Sequence, residues 1–190
     1  MSKTGKGGGR FKLILSILIA NAIRLVRIIP NNDPIMSMAL PYSRRSTMAV
    51  SFLFPFITMA SFDLVTGYVG AWTIGTSVTY GAIGVLFYYL LKGRKKVGIV
   101  RYLGYGAAGV LIFDFITGVL MTPLLFGMTF TEAFLGQIPF TAMHLLTSSA
   151  FILVVTPLLD REVLSNRHLD DSRVKAAMAR FSYRLSHAFA

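Results

Sequence analysis

Two carboxylates sit inside segments that are otherwise apolar enough to lie in a membrane: Asp63 in SFDLVTG (61–67) and Asp114 in IFDFITG (112–118). The segments match at Phe62/Phe113, Asp63/Asp114, Thr66/Thr117 and Gly67/Gly118, a spacing of 51 residues. Charge within a bilayer is costly and is tolerated when it is paired or faces a cavity. On a helix, residues three apart share a face, so Asp63 with Thr66, and Asp114 with Thr117, direct a carboxylate and a hydroxyl the same way. Two further faces carry polar groups: Thr73, Thr76 and Tyr80, and Gln137, Thr141 and His144. Arg24 and Arg27 close the set as cations. Such groups can bind a small polar ligand, pair with each other, or run acid–base chemistry. Metal binding is not expected, because His144 is the only histidine in a span and Asp63, Asp114 and Gln137 make a weak donor set beside it. No catalytic motif such as G-x-S-x-G or HExxH and no nucleotide-binding glycine loop occurs, so the chain reads as a non-enzyme without a cofactor.

The elements that must position these groups follow from composition. Of 190 residues 54% are hydrophobic, the mean hydropathy is +0.63, and 14% are charged. A soluble domain carries about a quarter charged residues, so the chain reads as an all-α integral membrane protein. Cysteine is absent, which removes disulfides and thiolate chemistry. A span takes roughly 20 apolar residues, and the candidates are 11–29, 46–66, 70–91, 99–120 and 136–158. PIMSMALPY (34–42) is too short for an ordinary span and reads as a short tilted or half-buried helix, tolerated where protein surrounds it.

The net charge of +11 invites a nucleic-acid reading, but its distribution argues for topology instead. Lys and Arg gather in the N-terminal tail, at Arg44–Arg45, in KGRKKVGIVR (92–101) and in the C-terminal tail. Basic loops stay cytoplasmic. If the short segment crosses, all four clusters fall inside, both termini are cytoplasmic, and six helices span the cell membrane. The outer segments 30–34, 67–71 and 121–135 then hold no Lys or Arg. The organisation is a basic tail (1–10), a six-helix membrane domain (11–160) and a basic tail (161–190). In that tail Val174, Met178, Phe181 and Leu185 form an apolar stripe, which fits an amphipathic helix lying on anionic lipid.

At about 1.5 Å per residue, Arg24, Arg27, Asp63 and Asp114 all fall roughly 20–25 Å up from the inner side. Polar groups therefore converge in the outer third. Helices 3–4 and 5–6 form a parallel hairpin repeat, and transporters bind substrate at repeat interfaces. Arg24 and Arg27 are expected as charge partners of Asp63 and Asp114, either in a structural staple or beside a ligand cavity. Pro139 suits the first turn of helix 6, which would place Gln137 at a helix N-terminus. Gly67 and Gly118 are expected to turn the chain at the outer surface. NNDP (31–34) favours a turn, and Asn32 there is a candidate lid contact.

The motifs NNDPIMSMALPY, FDLVTGYVGAWTIGT, IFDFITG and GQIPFTAMHLL, in this order over about residues 11–160, resemble the substrate-binding S components of energy-coupling factor transporters. The resemblance implies capture of a vitamin or similar micronutrient from outside, and delivery through a transmembrane coupling subunit driven by two ATPases. It implies substrate contacts from Asn32, Asp63, Thr66, Trp72, Thr76 and Tyr80, and from Asp114, Thr117, Gln137, Thr141 and His144. It also implies subunit docking through small residues on helix 1, here Ser16 and Ala20. Arg24 and Arg27 suit a carboxylate or phosphate, and Trp72, Tyr80 and Phe140 suit a ring. A membrane scaffold with a structural Asp–Arg cluster, and a self-sufficient secondary carrier, remain alternatives.

Overall fold

The computed structural model describes residues 9–26, 31–166 and 169–188, with side chains as far as residue 180. Arg27, Phe181 and Leu185 lie outside the described side chains. Among the described residues the chain forms seven helices and no strand: α1 (Arg10–Val26), α2 (Ile35–Arg45), α3 (Met48–Thr66), α4 (Ala71–Leu91), α5 (Ile99–Phe126), α6 (Phe130–Val163) and α7 (Asp171–Ala188). Helices α3, α4, α5 and α6 are long and apolar enough to cross a membrane.

The short segment at 34–42 is α2, and it is enclosed rather than half-buried. Every residue from Ile35 to Ser43 is buried, and Tyr42, Leu40, Met36 and Ile35 are fully covered. α2 packs against α3, α4, α5 and α6 together. A helix in that position must satisfy its backbone from protein, since neither water nor lipid reaches it. Pro41 makes this harder, because it lacks the N–H that would bond the carbonyl four residues back. That carbonyl belongs to Ser37, and the Thr156 hydroxyl of α6 donates to it at 2.7 Å. Ser43 donates to the Gly84 carbonyl of α4 at 3.0 Å, and the Tyr42 hydroxyl donates to the Lys12 carbonyl of α1 at 2.9 Å.

Pro55 repeats the device between α3 and α4. Its missing N–H frees the Ser51 carbonyl, and Gly84 packs directly against it; a Cβ at Gly84 would stand 1.9 Å from that oxygen.

The ends of the bundle differ in charge. Arg44 reaches the Arg94 and Lys95 carbonyls and, with Arg45, the carboxylate of Asp160 at the foot of α6. Lys12 is buried against Asp170 at 2.7 Å. One end thus gathers these basic residues, whereas Arg24 lies toward the other. Among the described residues of the connections at that other end, 31–34, 67–70 and 127–129, there is no Lys or Arg.

Three expectations are corrected. The outer segment 121–135 shrinks to 127–129, because α5 continues through a π-helical stretch (Phe115–Met121) to Phe126 and α6 begins at Phe130. A capping box fixes that start: Thr129 accepts from the Glu132 N–H, and Glu132 accepts from the Thr129 N–H and hydroxyl. Pro139 and Gln137 therefore lie inside α6, not at its N-terminus. The paired glycines also diverge. Gly67, at φ +76°, ends α3 in a Schellman turn with Tyr68 and Gly67 N–H bonds back to Asp63 and Leu64. Gly118 stays helical, and its bare Cα admits the Gln137 amide; a Cβ there would stand 1.9 Å from the Gln137 oxygen.

Two predictions follow from this packing. Gly84→Ala, blocked by backbone that cannot yield, is expected to destabilise the α3–α4 hairpin by about 2–3 kcal/mol, whereas Gly98→Ala, with open space around it, is neutral. Thermal unfolding in detergent checks the pair. At the charged end, Asp171 accepts from the Phe11 and Arg10 backbone N–H groups at 2.9 and 3.0 Å, and these bonds hold its carboxyl below the usual range. A depressed carboxyl stabilises the fold above its unfolded pKa and loses that contribution as pH falls through the folded one. Amide exchange at Phe11 is therefore expected to be protected near neutrality, to lose protection below about pH 4, and to be fast at all pH in Asp171→Ala.

Candidate ligand-binding site

The N-terminal end of α2 positions the site. Asp33, just before α2, accepts from the Ile35 N–H at 3.0 Å through one carboxylate oxygen and so fixes the helix start. Its other oxygen accepts from the Tyr80 hydroxyl of α4 and faces His144 Nε2 of α6 at 3.2 Å. His144 Nδ1 faces Asp114 of α5 at 2.8 Å. Four elements are thus joined by one buried row, Tyr80–Asp33–His144–Asp114. Asp33, His144 and Asp114 are 6%, 3% and 1% exposed. An imidazole with a carboxylate at each nitrogen satisfies both contacts by donating on both sides, so the row holds one proton more than a neutral imidazole between two carboxylates. Both ring nitrogens are then occupied, and no group of three or more acidic, histidine or cysteine side chains is placed to hold a metal among the described residues.

Above this row opens a cavity of about 420 Å³. Its aromatic walls are Phe62, Trp72, Tyr80, Phe113 and Phe140. Its polar lining is Arg24, Asn31, Asn32, Asp33, Thr76 and His144. Trp72 and Phe126 lean together at the rim, with ring centroids 6.0 Å apart. Asn31 donates to the Phe140 carbonyl at 3.2 Å, and its own carbonyl accepts from Thr147 at 2.9 Å, which ties the loop to α6.

Of the residues singled out from sequence, the structure brings Arg24, Asn32, Trp72, Thr76, Tyr80, Phe140 and His144 to this cavity. The other described ones lie elsewhere. Asp63 is buried and accepts from the Thr73 hydroxyl at 2.7 Å, tying α3 to α4. Thr66 and Thr117 bond back to carbonyls of their own helices. Asp114, Gln137 and Thr141 line a second, lipid-side groove of about 610 Å³ between α5 and α6. One oxygen of Asp114 is buried without a hydrogen-bond partner.

Arg24 pairs with neither Asp63 nor Asp114. Its guanidinium lies over the Phe62 ring at 4.1 Å, and one N–H points to the Met59 sulfur at 3.1 Å. The aspartates take their partners from the neighbouring helix of each hairpin instead, so the expected Asp–Arg staple is not formed by Arg24. Arg27 lies outside the described residues. Ser16 and Ala20 are also corrected as a docking surface. The Ser16 hydroxyl lies 3.0 Å from that of Tyr42, whose proton goes to the Lys12 carbonyl, and Ala20 is fully buried, so both small residues seat α1 against the bundle. The face that α1 leaves open carries Ile14, Leu18 and Leu25.

Compared with protein-family models, curated proteins and solved structures, the chain matches none.

The residue that sequence reasoning missed is Asp33. NNDP was read as a turn with Asn32 as its contact. The signal was an acid just before an apolar helix, at the depth where His144, Tyr80 and Asp114 gather.

His144→Ala would leave Asp33 and Asp114 buried without their shared partner. Breaking a buried pair from one side costs about 3–5 kcal/mol. Thermal unfolding is expected to show a loss of that order for His144→Ala, and a much smaller one for Thr141→Ala, which is half-buried and outside the row.

Proposed function

We propose that this protein captures a small organic molecule from outside the cell membrane in the cavity between α1, α3, α4, α5 and α6. The observation that carries the reading is the cavity itself: a volume of about 420 Å³ at the end of the bundle opposite the Arg44–Arg45–Asp160 cluster, walled by five aromatic rings and floored by a buried polar row. Ligand sites have this composition, mostly apolar walls with a few convergent polar groups. In the proposed topology the basic end is cytoplasmic, α2 counts as a short second crossing, and both termini are inside. On the resemblance noted from the sequence, delivery inward proceeds through a transmembrane coupling subunit and two ATPases, as in the S components of energy-coupling factor transporters. The coupling subunit would meet the exposed apolar face of α1 rather than Ser16 and Ala20.

One observation favours a second reading. The row Tyr80–Asp33–His144–Asp114 joins the cavity to the lipid-side groove through titratable groups, an arrangement that suits proton coupling in a self-sufficient carrier.

Native mass spectrometry of the detergent-purified protein tests the reading. A co-purifying adduct of roughly 200–500 Da, the size such a cavity holds, is expected, and is lost in Trp72→Ala. A bare mass with no thermal shift across a vitamin and nucleobase panel would instead favour a membrane scaffold. Uptake of the identified molecule into sealed vesicles by this chain alone would favour the carrier.

A further inference from the structure

We infer that the molecule held in this cavity is a flat aromatic monoanion that also carries an N–H or O–H donor; this rests on the binding reading above and specifies its ligand.

The argument is an accounting of which polar groups are already used. All eight Asp and Glu of the chain lie among the described residues, and none is within ion-pair distance of Arg24. The only described acceptor for its guanidinium is the Met59 sulfur, a weak one, out of five N–H donors available. A guanidinium on a cavity wall without a carboxylate is matched by an anion, and a carboxylate or phosphate accepts from two of its N–H groups at once.

The cavity's own carboxylate cannot play the opposite role. Asp33 accepts from the Ile35 N–H with one oxygen, and from Tyr80 with the other, which also faces His144. Both its oxygens are engaged on the protein side. The aromatic walls alone would also suit a cation, but a cation entering here meets Arg24 with no free carboxylate to offset it.

The donor requirement comes from Asn32. Its amide nitrogen donates to the Ile23 carbonyl at 2.7 Å, which fixes the orientation of the group. Its oxygen is buried without a partner. A buried acceptor left unmet costs about 1–3 kcal/mol, and a ligand N–H or O–H relieves it. Of the other described donors at the cavity, Asn31 is committed to the Phe140 carbonyl and Thr76 to the Trp72 carbonyl. The cavity thus offers a guanidinium with no carboxylate in ion-pair distance, the Trp72 indole N–H and one unmet acceptor between aromatic faces, and an anion with an N–H or O–H donor is their complement.

Trp72 is the only tryptophan of the chain and lines the cavity, so its fluorescence reports occupancy directly. The probes are benzimidazole-5-carboxylate, its uncharged amide and the cationic 5-aminomethyl analogue, titrated at neutral pH into purified wild type, Arg24→Gln and Arg24→Lys. The acid is expected to bind wild type at least about tenfold more tightly than the amide or the amine. Arg24→Gln should erase that preference, and Arg24→Lys should retain part of it. Equal binding of acid and amide, or tightest binding of the amine, overturns the inference and leaves the binding reading standing. If no probe binds at up to about 1 mM, the inference also falls. A co-purifying uncharged or cationic adduct would then still support the cavity as a site, whereas a bare mass would remove both.

Discussion

Helix α2 is eleven residues long and has no lipid-exposed face, and the rest of the fold is arranged around meeting its needs. Buried backbone groups require partners, and a helix leaves several unmet at each end. Here each requirement is met by a different neighbour. Asp33 closes the N-terminal end, Arg44 and Arg45 anchor the C-terminal end to Asp160, and Thr156 supplies the bond that Pro41 removes. The four longer helices are therefore fixed in register by polar contacts to a common centre, in an environment where apolar burial between helices gives little drive.

The same centre creates the cavity. α2 is too short to reach the outer surface, so the space above it is left to side chains from five helices and the 31–34 loop. Asp33 stands where the loop becomes the helix and faces Tyr80 and His144 for that reason. Both its oxygens are engaged on the protein side, and Arg24 faces the same cavity with no carboxylate within ion-pair distance.

The hairpin repeat carries the difference between the two halves. Asp63 meets Thr73 ten residues later, across a tight turn that Gly67 makes possible. Asp114 meets His144 thirty residues later, because α5 does not stop at Gly118 but winds through a π-helical stretch and admits Gln137. One sequence motif thus serves as a local tie in one hairpin and as part of a buried relay in the other. What differs is whether the glycine ends the helix or lets a side chain in.

Much of this was determined by the sequence alone. Apolar run lengths dictate which helices exist, the placement of Lys and Arg separates the two ends, and the shortness of 34–42 requires protein around it. These are local or additive properties, set by hydropathy and charge along the chain. The depth of the polar groups was legible for the same reason, since rise per residue is fixed. Only the tertiary structure decided who pairs with whom. Asp114 with His144 rather than Arg24, Ser16 and Ala20 turned inward, and Asp33 at the centre all depend on helix rotation and on contacts more than one hundred residues apart, such as Asp33 with His144 and Ser37 with Thr156. Helix rotation is set by the sum of packing and polar satisfaction over all neighbours, and no single segment contains that sum.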